Sequence, residues 1–69
     1  MIYKINDLVQ YWFNDGIGGT VIYGKVKKAG LKQITVKWES CIMNKFYHDT
    51  HLIKLANNMD EALKACKHL

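Results

Sequence analysis

Between Thr20 and Glu39 the chain alternates with a period of two. Ile22, Gly24 and Val26 fall on one side, and Tyr23, Lys25 and Lys27 on the other. After an Ala29-Gly30 turn, Ile34, Val36 and Trp38 oppose Gln33, Thr35 and Lys37. Successive side chains of a strand point to opposite faces, so this is the pattern of half-buried antiparallel strands. The chain has no proline, so none of its strands loses a ladder hydrogen bond to that residue. Three further extended runs flank this pair. Residues 2–13 (IYKINDLVQYWF) are rich in β-branched and aromatic residues, with Val9 and Tyr11 sharing a face. Asn14-Asp15-Gly16 and Gly18-Gly19 form a loop. Beyond a Ser40-Cys41 turn, residues 42–48 read as a fourth strand, Asp49-Thr50-His51 break the pattern, and residues 52–55 read as a short last strand. The expected core is Val9, Tyr11, Ile22, Val26, Ile34, Val36, Trp38 and Leu52.

The tail has a different period. Asn58 stands as a helix N-cap with Glu61 three residues later, in capping-box position. Asp60 and Glu61 occupy the first turn, and Lys64, Lys67 and His68 lie near the end, which complements the helix dipole. Met59, Ala62, Leu63, Cys66 and Leu69 form an apolar stripe at helical spacing. A helix of about eleven residues does not persist alone in water. It must dock on the sheet or on another chain, which offers a route to a homodimer.

Length and charge narrow the function. Sixty-nine residues bury only about 60% of the surface the unfolded chain exposes, which excludes a two-domain enzyme with a cleft site. The formal charge is +4, and all ten basic residues are lysine. Seven of them (Lys25, Lys27, Lys28, Lys32, Lys37, Lys45 and Lys54) lie between residues 20 and 56, against Glu39 and Asp49 alone. Such a surplus attracts phosphate backbones or acidic proteins. Lysine lacks the bidentate fork that reads guanine edges, so backbone contact with little base readout is expected. There is no apolar run of the ~20 residues a membrane span needs, and residues 1–11 have no signal-peptide core. The expectation is a cytoplasmic protein whose Cys41 and Cys66 are reduced thiols.

The succession of Asn6-Asp7-Leu8-Val9, a glycine-bearing loop, GKVKKAG (residues 24–30), ITVKWES (residues 34–40) and HDTHLIKL (residues 48–55) resembles the small SH3-like barrels of KOW and Tudor type. The resemblance covers residues 6–56. It implies a mostly β fold: a five-stranded SH3-like barrel over residues 1–56, with a C-terminal helix over residues 57–69. Closure would remove the sheet edges. In size and style the chain is also similar to accessory proteins of bacteriophages and mobile elements.

Members of this class bind through aromatics beside the first loop, which by resemblance places Trp12, Phe13 and Tyr23 near a binding face. With Lys25, Lys27, Lys28 and Lys37 they make up the candidate site, the lysines contacting phosphates and the rings stacking. A methyl-lysine cage would also want an acidic residue among the rings, and only Asp15 is near. NDGIGG lacks the Gly-Lys-Ser/Thr of a phosphate-binding P-loop. His48 and His51, with Asp49 between them and Cys41 seven residues earlier, are of the types zinc takes, but a structural site needs four in a fixed tetrahedron and here one strand end and one turn would have to supply them. Cys41 with His48 lacks an enclosing pocket and an oxyanion hole. The sequence therefore points to a non-enzymatic module without cofactor or metal. Its partner would be nucleic acid, DNA or RNA; the alternative is an acidic protein, as for a phage-encoded inhibitor of a host protein.

Overall fold

The computed structural model describes residues 2–14 and 16–69. It contains β1 (Leu8–Phe13), β2 (Thr20–Ala29), β3 (Gln33–Trp38), β4 (Met43–Tyr47), β5 (Ile53–Leu55) and α1 (Met59–Ala65). The strands form one antiparallel sheet in the order β4-β3-β2-β1-β5. Among the described residues β4 and β5 do not pair, so the sheet is open at that seam. No helix among them is long and apolar enough to cross a membrane.

The first strand is shorter than the sequence suggests. Asn6 adopts a left-handed φ of 75°, and the Asp7 carboxylate accepts from the Lys4 N–H at 2.8 Å. This local turn breaks the extended run before Leu8. Tyr3, upstream of it, is buried at 4% exposure.

Val9, Val26, Ile34, Val36, Trp38, Ile53 and Tyr3 form the main core on one face of the sheet, with Tyr11, Ile22 and Phe46 packed against them. Leu52, expected in this core, is 60% exposed, and its neighbour Ile53 is buried at 5%. β5 pairs with β1 in a register that sets Ile53 opposite Tyr11, and a one-residue change of register exchanges the two faces.

The helix docks on the opposite face. Its buried residues Ala62 and Cys66 pack with Leu8 and Ala56, flanked by Tyr23 and Leu69. The Asn58 side chain accepts from the Glu61 N–H at 3.2 Å, as an N-cap should. The expected stripe is corrected: Met59 and Leu63 are 50% and 57% exposed. Seven helical residues present a narrow strip, and the small Ala62 and Cys66 allow the closest approach to the sheet. Cys41 is exposed, Cys66 is buried, and both are free thiols. Burial, followed by the nearby Glu39 charge, pushes the Cys66 thiol above its ordinary value, with Lys25 opposing. A thiol reagent at neutral pH is expected to label Cys41 alone in the native protein and both cysteines in denaturant, read by mass spectrometry.

Gly24 sits where β2 is paired on both sides, with Val9 and with Trp38. A Cβ there would lie 2.7 Å from both Trp38 Cε3 and Val36 Cγ1. Gly24→Ala is expected to destabilise the fold by about 1–3 kcal/mol through overpacking, measured by urea unfolding.

Candidate nucleic-acid interface

Alternation sends the polar residues of β2, β3 and β4 to the face away from the main core. The strand register orders them in transverse rows. Lys25 lies opposite Lys37, and Lys37 opposite Met43; Lys28 lies opposite Thr35, and Thr35 opposite Lys45; Gln33 lies opposite Tyr47. Lys28 reaches this face because the register shifts between Val26 and Lys28. Strict alternation from Val26 would turn Lys28 toward the core. The bulge at Lys27 re-aims it outward, a common effect of one extra residue in a strand.

Lys28, Lys32, Lys45, Thr35, Gln33 and Tyr47 line an open groove of about 530 Å³, with Gly30 at its lip. The three lysines are exposed, and Tyr47 is 60% exposed. Among the described residues no carboxylate lines the groove; Asp49 lies in the adjoining hollow with Lys32 and Tyr47. Glu39 and Glu61 are engaged elsewhere. Glu39 Oε2 accepts from the Tyr23 N–H at 3.1 Å, and Glu61 Oε2 accepts from the Tyr23 hydroxyl at 3.1 Å.

His48 fixes the groove lip. Its Nδ1 accepts from the Tyr3 N–H at 3.1 Å, so the proton lies on Nε2, which donates to the Gly30 carbonyl at 2.7 Å. The His48 N–H donates to the Lys32 carbonyl at 3.1 Å. The turn bearing Lys32 is thereby tied to the end of β4. Both ring nitrogens serve backbone groups, so His48 in this tautomer offers neither a metal ligand nor a base for Cys41. Among the described residues no group of three or more His, Cys, Asp or Glu stands together as a metal site.

The sequence-predicted site residues divide into three sets. Lys28 enters the groove, and Lys27 and Lys37 flank it on the same sheet region. Tyr23 and Lys25 serve helix docking. The Tyr23 hydroxyl is held by Glu61, and Lys25 Nζ donates to the Leu69 main-chain oxygen at 3.4 Å. Desolvation, followed by the Glu61 hydrogen bond, raises the Tyr23 phenol above its usual value. Trp12 and Phe13 lie at the end of β1, opposite Val21 and Thr20, outside the groove. Trp12 is 56% exposed and Phe13 37%. The indole lies so close to Gly19 that a Cβ there would overlap it. Trp12 shares a smaller hollow with His51, Leu52 and Lys54. Asp15, the acid a cage would use, lies outside the described residues. Lys32, Lys45 and Tyr47 complete the groove, and only cross-strand register brings them to Lys28.

His48→Ala removes both ring hydrogen bonds and is expected to cost about 1–3 kcal/mol, with faster amide exchange at Gly30 and Tyr3 read by NMR. Compared with protein-family models, curated proteins and solved structures, the chain shows no significant match.

Proposed function

We propose that this protein is a non-enzymatic binding module. It contacts nucleic-acid backbone through the outer face of β2, β3 and β4, and its curled sheet belongs with the small SH3-like barrels. The observation that carries this reading is the groove of Lys28, Lys32 and Lys45, in which no carboxylate stands among the described residues. Three ammonium groups on one wall repel one another. Phosphates relieve that repulsion and release counterions in return. Lys27 and Lys37 extend the same positive field. With lysine alone the contacts position a backbone without reading base edges.

Fluorescence anisotropy with a labelled oligonucleotide at rising salt tests the reading. Three to five neutralised phosphates give a log–log salt slope of about −2 to −3.5 on a single strand. The double substitution Lys28→Gln, Lys45→Gln is expected to make that slope shallower by about 1.4. A flat salt dependence, or an unchanged slope in the variant, sinks the proposal.

A second reading, an acidic protein partner, rests on Trp12 and Lys54 in their shared hollow. It requires a complex that survives nuclease treatment and is lost with Trp12→Ala but kept with Lys28→Gln, Lys45→Gln.

A further inference from the structure

We infer that the groove takes a single strand rather than a duplex, with Tyr47 as the platform on which a base stacks; this rests on the backbone-binding reading above. Tyr47 stands in the row next to Lys45, across β4 from nothing and across β3 from Gln33. Its ring is 60% exposed. The ring contacts that order the other aromatics join Tyr3 to His48, and Tyr11, Phe13, Trp38 and Phe46 among themselves; Tyr47 is outside that set. An unstacked ring bordering the lysines of the groove, with Asp49 in the adjoining hollow, is the pairing that single-strand grooves use: cations for the backbone and a π-face for the base. A duplex would leave this ring without a partner, because its base faces are already stacked on one another.

The dimensions agree. Lys28 and Lys45 are two inter-strand steps apart, about 10 Å, and Tyr47 lies one row further along, about 7 Å from Lys45. That is a compact platform for a few nucleotides. The only helix among the described residues is docked on β1 and β2, and its first turn carries Asp60 and Glu61. The other aromatics proposed from the sequence cannot take this role in the groove. Tyr23 is held by Glu61, and Trp12 lies in a separate hollow.

The test compares the full chain with Tyr47→Ala and Tyr47→Phe, against a labelled thymidine oligonucleotide of about a dozen residues and a duplex of equal length. The single strand is expected to bind at least about tenfold more tightly. Tyr47→Ala should weaken it by about five- to a hundredfold and leave duplex binding unchanged. Tyr47→Phe, which keeps the ring, should restore single-strand binding. Unchanged thermal unfolding of both variants shows that the fold is intact. Equal binding of single strand and duplex, or equal loss of both in Tyr47→Ala, overturns the stacking role and leaves the backbone reading standing. Absence of binding to either oligonucleotide overturns both.

Discussion

The sheet turns on the vacancy at Gly24. At this residue β2 is paired with Val9 of β1 on one side and Trp38 of β3 on the other. No other residue type leaves room for the Trp38 ring that lies over it. Trp38 then passes the contact outward. It meets Tyr11 edge-on at 6.3 Å and Phe46 at 6.1 Å, and its Nε1 donates to Asn44 Oδ1 at 2.9 Å. One missing side chain thus joins β1, β2, β3 and β4 through a single indole. Such aromatic contacts each add about 0.5–1.5 kcal/mol beyond the area they bury. The indole nitrogen is satisfied, so the ring can be buried without an unpaired donor.

The same alternation that builds this core decides where the charge goes. If Ile34, Val36 and Trp38 face inward, then Gln33, Thr35 and Lys37 must face outward. The partners of those residues on β2 and β4 follow by register. The helix then covers one part of the outer face and takes Tyr23, Lys25, Glu39 and Glu61 into its docking contacts. What remains uncovered is the β2–β3–β4 region, where Lys28, Lys32 and Lys45 have no acidic neighbour in the groove. Lys25 and Lys37 stand directly opposite each other, an arrangement that costs stability in a sheet.

The strand regions of β2, β3 and β4 were legible in the sequence because each is amphipathic at period two and bounded by turn residues. The Asn58 cap was legible because its chemistry is local. Three features were not. Tyr3 enters the core from outside any strand, through contacts to His48 and Ile53, 45 and 50 residues away. Nothing near residue 3 signals them. The exchange of Leu52 for Ile53 turns on where β5 meets β1, and two adjacent aliphatics give no local preference. The helix stripe was too broad, since Met59 and Leu63 satisfy helical spacing while the docking face has room only for Ala62 and Cys66. The candidate site was legible as a surplus of lysine but not as a geometry. Lys28 lies in phase with the buried Val26 until the bulge at Lys27 re-aims it outward, and Lys45 and Tyr47 join only through the β3–β4 register.

The open seam between β4 and β5 explains why one histidine matters to a groove it does not line. Unpaired edges invite association with other strands. Here the edges are short, and each carries a lysine at its centre, Lys45 in β4 and Lys54 in β5. Tyr3 bridges the seam in place of a ladder, with its hydroxyl donating to the Ile53 carbonyl at 3.2 Å and its N–H donating to His48. Burial, followed by the Asp7 charge, raises the Tyr3 phenol above its ordinary value. His48 carries that restraint across to Gly30 and so holds the turn that bears Lys32. These hydrogen bonds tie down the backbone around the groove. In the complex proposed above, the ordering cost would therefore fall on the side chains of the lysines and Tyr47 rather than on the backbone.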